Sequence, residues 1–260
     1  MGSVEDHNQR AWNQIASMGG PYARAVSPEE VSAAREGRWD VTVTETKRVP
    51  RAWLPAVAGL DVLCLASGGG QQGPLLAAAG ANVTVLDLSE AQLGLDRHVA
   101  EREGLPLRTV QGSMTDLSVF ADASFDVIIH PVATLFVPDV MPVWKEAFRT
   151  LRRGGRLVAG FINPLIYIFD RQLLDASGTL EVRYQVPYAD ETQLPQEVQD
   201  AYRRDAAPFE FSHTLTTLIG GQTDVGFVIA GLYEDAYDPA LNERISKHHP
   251  TMIATLALKP

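Results

Sequence analysis

Three consecutive glycines and a fourth three residues on, in Ala66-Ser67-Gly68-Gly69-Gly70-Gln71-Gln72-Gly73, follow a short apolar run, Val62-Leu63-Cys64-Leu65. After them comes an Ala/Leu-rich segment of helical character that ends at Gly80. Glycines tolerate positive φ and let another group lie against bare backbone. A helix beginning there presents N–H groups that have no partner within the helix. Seventeen residues after Gly70, at the end of the next apolar run, Val83 to Leu86, stands Asp87. In a strand–loop–helix–strand unit, an acid at that place accepts hydrogen bonds from ribose hydroxyls. A tight turn would explain one or two glycines, and an acid before a helix start suits the helix dipole. Four glycines and the acid together point to an adenosine-type ligand. Gly68-x-Gly70-x-x-Gly73 also satisfies the dinucleotide fingerprint, so an NAD(P)-dependent oxidoreductase is a competing reading. Dinucleotide domains commonly open on this loop, whereas some sixty residues precede it here.

The apolar runs around the loop set the fold class. Leu107 to Gln111, Asp126 to His130 and Arg156 to Phe161 are further strand candidates, and Ser89 to about Glu103 and Met141 to Arg152 read as helices. Strands of four to six residues alternating with helices make parallel βαβ units with both sheet faces covered. Gly226 to Tyr233 and Thr251 to Leu258 close the chain as strands joined by a turn-rich link, which predicts a hairpin and an antiparallel edge. Before the alternation, Ser27-Pro28-Glu29-Glu30 is a helix start with a capping box, and Trp39 to Thr46 alternates like a strand or an extended arm. Asn163 to His213 interrupts the pattern with two alternating runs, Leu180 to Tyr188 and Phe209 to Thr214. The expected division is a cap segment over 1–60, a core over 61–162, an inserted lid over 163–213 and completion of the sheet over 214–260.

Charge and cysteine content narrow the function. With 22 basic and 32 acidic residues the chain carries −10, which gives no general help with a phosphate backbone, so a nucleic-acid partner is not expected. Cys64 is the single cysteine, which excludes an internal disulfide and any multi-cysteine zinc site. His248-His249 lack nearby acids or cysteines and make a poor chelate, so no metal is expected. Met1-Gly2-Ser3 leads into acids and amides without the layout of a signal peptide, and no apolar stretch reaches membrane-spanning length. A cytoplasmic protein without membrane association is the expectation.

Taken in order, five segments resemble the class I S-adenosylmethionine-dependent methyltransferases. Val62 to Gly70 looks like their first motif, and Val85-Leu86-Asp87-Leu88-Ser89 like the ribose-binding one. Gln111-Gly112-Ser113-Met114-Thr115-Asp116-Leu117 is similar to the segment beside the adenine. Ser124 to Ile129 resembles the lead-in to the fourth strand, and Leu151 to Leu157 the turn into the fifth. The resemblance implies an α/β, Rossmann-like fold: a seven-stranded, mostly parallel sheet with an antiparallel last strand. It also implies S-adenosylmethionine as cofactor and S-adenosylhomocysteine as product. Ala66, Ser67, Gly68, Gly70 and Gln72 would then hold the methionine part, Asp87 and Leu88 the ribose, and Ser113 and Met114 the adenine. Two places depart from the family: an acid is usual where Cys64 stands and frequent where Ser113 stands, and each neutral residue removes a charge-assisted hydrogen bond.

His130 ends the fourth strand candidate, where ligands of open α/β sheets sit. In the family this place faces the methyl group, so His130 is the candidate base and a cofactor neighbour; the plain alternative is a packed imidazole on a backbone carbonyl. Tyr22 and Trp39 before the core, and Tyr167 and His213 in the insertion, are the candidate acceptor contacts. A cap built from both segments would enclose a largely apolar pocket for a small organic acceptor. The alternatives are that these aromatics are the cap's own core, or that exposed ones form a homodimer surface. The expected function is methyl transfer to an O, N or C atom of a small molecule, with the oxidoreductase and a non-catalytic cofactor-binding sensor or partner subunit as rivals.

Overall fold

The apolar runs pair into one sheet in a computed structural model that describes residues 3–20, 22–237 and 244–260. Met1 and Gly2, part of the chain start considered above, lie outside the described residues. Strands β1 (Asp61–Leu65), β2 (Asn82–Asp87), β3 (Leu107–Gln111), β4 (Phe125–His130) and β5 (Leu151–Ile162) run parallel. After them come β6 (Tyr188–Ala189) and β7 (Phe211–Ser212), which form a separate two-stranded ribbon, and then β8 (Val228–Asp235) and β9 (Met252–Leu258). The main sheet has seven strands in the order β3-β2-β1-β4-β5-β9-β8. β9 is antiparallel to both of its neighbours, which is the hairpin edge that the sequence predicts.

Helices α1 (Val4–Ser17), α2 (Pro28–Arg35), α3 (Gln72–Ala78), α4 (Glu90–Glu103) and α5 (Met141–Thr150) precede the insertion. Both faces of the sheet are buried, as parallel strands require. Val62 and Cys64 of β1 join Leu76 and Ala77 of α3 and Leu93 of α4 in one core cluster. Leu63 and Leu65 join Trp144 and Ala147 of α5 in the other. Local signals act where expected: Ser27 caps α2, its hydroxyl accepting the Glu30 amide while the Glu30 carboxylate takes the Ser27 amide. At Ser89 the hydroxyl accepts the Gln92 amide but no capping box forms, because the Gln92 side chain turns toward the glycine loop instead of back to Ser89.

Three segments cover the carboxyl end of the parallel strands. The first is α1, fastened on both sides. Gln9 donates to the Leu88 carbonyl and the Asn13 side-chain oxygen accepts from Ser89 and Ala91. On the other side Asn8 donates to Phe136 and Phe209 carbonyls, and its oxygen accepts the Phe209 amide at 2.8 Å. The second is the arm from Trp39 to Thr46, which makes one isolated bridge, Thr42 to Arg48, and bends over 43–46 instead of forming a strand. Its Val43 carbonyl accepts the Val132 amide just past β4. The third is the insertion, with α6 (Arg171–Ser177), α7 (Asp190–Gln193) and α8 (Gln196–Asp205). The two alternating runs expected there contribute the two-residue strands β6 and β7 and one isolated bridge, Phe169 to Val182.

Candidate functional site

The chain leaves β1 through Ala66, whose φ of +48° lies in the left-handed region, and turns over Gly69 and Gly70, at +116° and +73°. Asp87 at the end of β2 fixes the turn. Its Oδ2 accepts the Gly68 amide and its Oδ1 the Ser89 amide, both at 2.9 Å. Burial raises its pKa against the pull of the Ser89, Gly68 and Leu88 amides. The residue keeps some exposed surface, and each carboxylate oxygen retains a second lone pair. The glycines are required by close approach: a Cβ on Gly68 would lie 2.8 Å from the Gln92 Cβ, and one on Gly69 only 2.5 Å from the Tyr22 carbonyl oxygen.

The donor set suits an adenosyl cofactor. A part-exposed acid at the end of β2 has lone pairs to spare for ribose hydroxyls, with Leu88 beside it. Ser113 and Met114, both part-exposed, follow β3; the Ser113 hydroxyl meets Thr115 Oγ1 at 2.8 Å. α1 passes over this corner, since Gln9 and Asn13 hold it to Leu88 and Ser89. Tyr22 lies on the loop, 44% exposed, and donates its hydroxyl to Glu45 at 3.1 Å. Its pKa is raised by burial and by the charges of Glu45 and Glu210, which sets the insertion's Glu210 on the same side.

Several expected site residues stand elsewhere. The Gln72 amide is committed to the arm, donating to the Thr42 carbonyl and hydroxyl and accepting the Thr42 amide, so it serves the cover and not the loop's ligand side. Trp39 is packed in the core cluster beside Val41 and Val43, with the Arg51 guanidinium stacked 3.7 Å over it; it is not an acceptor contact. His130 has no exposed surface. Its Nδ1 donates to the Leu65 carbonyl at 2.9 Å, since a carbonyl only accepts, and burial pushes its pKa down to about 4. A neutral, fully buried imidazole with so low a pKa is a weak base near neutrality, so the expectation of a substrate-facing base is corrected. Ser67 is likewise buried.

The insertion contributes a polar cluster. Tyr167 is buried; its hydroxyl donates to Glu210 Oε2 at 2.9 Å, and the same oxygen accepts Arg171 at 2.8 Å. The Arg171 guanidinium lies 4.8 Å from the Tyr167 ring. Asp190 accepts the Tyr188 hydroxyl and the Glu210 amide, and burial with the nearby Glu210 charge pushes it up to about 6. His213 is buried, its Nε2 donating to the Thr134 carbonyl at 3.1 Å, so it ties the insertion to the segment after β4. Trp12, Tyr22 and Phe136 form an aromatic corner between α1 and the end of β4, with centroids 5.1 Å apart for Trp12 and Phe136. Sequence reasoning missed Asn8, Glu210 and Asp96. The last had a signal: Gln92, Leu93, Asp96, Val99 and Ala100 form a helical stripe, and an acid on it is a buried acid. The described residues hold no cluster suited to a metal.

Comparison with known proteins agrees with this arrangement. Residues 63–159 match the model of a methyltransferase domain family. The chain is 49% identical over 251 residues to YbaJ of Bacillus subtilis, an uncharacterized methyltransferase, covering 96% of this chain and 98% of that one. It is 37% identical over 103 residues to a sterol 24-C-methyltransferase of Gibberella zeae, covering 39% of this chain and 26% of that protein. Among solved structures, an S-adenosylmethionine-dependent methyltransferase of Mesorhizobium loti superposes with a TM-score of 0.61 at 24% identity, over 80% of this chain and 94% of that one. Kinship over almost the whole length, on a fold with the loop and β2 acid in place, removes the oxidoreductase reading. The chain belongs to the class I S-adenosylmethionine-dependent methyltransferases.

Proposed function

We propose that the methyl acceptor is a small organic molecule, methylated at an O, N or C atom beneath the cover formed by α1, the arm and the insertion. The observation that carries this reading is the cover itself: all three segments are fastened to the carboxyl end of the sheet by side-chain and backbone hydrogen bonds. A roof held on both sides suits an enclosed acceptor better than a polymer lying across an open groove. The aromatic corner of Trp12, Tyr22 and Phe136 offers flat apolar surface for such a molecule.

When bound, the cofactor supplies a sulfonium-activated methyl group. Asp87 and Leu88 receive the ribose, Ser113 and Met114 the adenine, and the Gly68–Gly70 backbone the methionine end. His130 acts as a positioning residue: its bond to the Leu65 carbonyl ties the end of β4 to the end of β1, the two strand ends flanking the glycine loop. Orientation and exclusion of water then carry the acceleration, without a strong base. The sterol 24-C-methyltransferase matches over only 39% of this chain, so its acceptor does not carry over.

Calorimetric titration with S-adenosylhomocysteine, followed by an acceptor screen read by mass spectrometry, tests the proposal. A methylated small molecule supports it. Methylation confined to a protein or nucleic acid overturns it, and binding with no acceptor across a broad panel brings forward a non-catalytic sensor.

A further inference from the structure

Two polar side chains of α4 turn inward under the glycine loop. Asp96 Oδ2 accepts the Gly69 amide at 3.0 Å, and the Gly70 amide also favours the charged form of this carboxyl. The Gly69 amide is shared with the main-chain carbonyl of Gln92, at 3.2 Å. The second carboxyl oxygen of Asp96, Oδ1, and the one side-chain oxygen of Gln92, Oε1, are both buried without any hydrogen-bond partner. Residues four apart on a helix are neighbours, and the two oxygens face the glycine loop and the first turn of α3. A Cβ on Gly69 would lie 3.0 Å from Gln92 Oε1, and one on Gly73 3.3 Å from Asp96 Oδ1. Buried polar atoms are almost always paired, so two orphan acceptors on successive turns call for one missing donor. A single proton on Asp96 supplies it.

The surroundings favour that proton. The titratable groups facing Asp96 are the buried Cys64 thiol on β1 and the Asp87 carboxylate at the end of β2. From α3 it meets Gly73, and Ala25 of the N-terminal segment packs on Gly70. Arg97, next in the chain, is turned away to Glu90 and Thr109. No described cation compensates a charge on Asp96.

We propose that Asp96 is kept as a neutral acid whose hydroxyl donates to Gln92 Oε1. In this form it is a positioning residue, fixing the Gly69 and Gly70 amides and so the loop that receives the methionine end of the cofactor. Burial pushes Asp96 up to about 7 against the pull of those amides, in the same sense. The inference rests on the loop's role toward the cofactor and is independent of the acceptor. An amide at position 96 can reproduce both bonds, its oxygen taking the glycine amides and its NH2 donating to Gln92; a methyl group can reproduce neither.

The test compares wild type, Asp96→Asn and Asp96→Ala by titration with S-adenosylhomocysteine, and wild type minus Asp96→Asn by infrared difference spectroscopy of the ligand-free protein at pH 6. The expected results are affinity within about threefold for Asp96→Asn, a loss of about tenfold or more for Asp96→Ala, and a protonated-carboxyl C=O band in the difference spectrum. The infrared arm needs no ligand and stands even where Asp96→Ala does not fold. Absence of the band means that Gln92 presents its NH2 to an ionised carboxylate, and it overturns the proposal. Asp96→Ala binding like wild type, or Asp96→Asn failing as badly as Asp96→Ala, overturns it too.

Discussion

Asp87 uses one lone pair of each carboxylate oxygen on the amides of Gly68 and Ser89 and leaves the others for a ligand. Structure and ligand binding therefore meet in one residue. Asp87→Ala is expected to weaken S-adenosylhomocysteine binding at least about tenfold and to cost about 2 to 3 kcal/mol of stability. Asp87→Asn, which keeps one acceptor, should fall between wild type and alanine in a denaturant titration. Unchanged affinity in both variants would remove Asp87 from the ribose site. Ala66 poses the reverse case. It holds a φ of +48°, a region that costs a side chain about 1 kcal/mol and glycine almost nothing. Ala66→Gly should raise the unfolding free energy by about 0.5 kcal/mol, and a lower melting temperature would show that the Ala66 methyl packs better than its backbone suffers.

At the level of elements, β5 and the arm meet at Gly160, where a Cβ would overlap the Val43 carbonyl oxygen. That carbonyl also accepts the Val132 amide just past β4, so the arm cannot step aside without releasing it. Gly160→Ala is expected to lower stability by about 2 to 3 kcal/mol, read as a lower denaturant midpoint at unchanged slope. A midpoint equal to wild type would mean that the arm is loosely seated. This contact also marks where the sequence stops being legible. Continuous apolar runs announced β1, β2 and β4, because a strand buried on both faces needs one. The loop and Asp87 were legible because backbone conformation and an acid at fixed spacing leave a local trace. A cap over 1–60 and a lid over 163–213 were expected, but the way they are fastened was not legible, because side chains reach distant backbone: Asn8 to Phe209 and His213 to Thr134. Alternation in the insertion likewise suggested strands longer than β6 and β7, since aromatics packing in the insertion's own cluster, such as Tyr184 and Tyr188, follow the same spacing.

Across the whole molecule, stability against pH is set by buried groups with opposite signs. His130, pushed by burial from an ordinary 6.5 down to about 4, is neutral when folded and binds a proton more readily when unfolded. Its contribution is complete above about pH 6.5 and is lost as pH falls toward 4. Asp96, raised to about 7 by burial, runs the other way: its contribution is complete below about pH 4 and is lost as pH rises through 7. Asp235 lies lower. Burial would raise it, but Thr46 and Lys47, which it anchors to β8 at 2.8 Å through their amides, hold it at about 2; its share is lost only from about pH 4 downward. Between pH 4.5 and 6.5 the His130 and Asp96 slopes, each about 1.4 kcal/mol per pH unit, nearly cancel. Relative to wild type, His130→Gln should therefore lose stability as pH rises across this window, while Asp96→Asn should gain it. Urea unfolding at four pH values measures both differences, with the background from other groups common to all three proteins. Parallel curves would show that neither side chain is buried in the protonation state assigned to it.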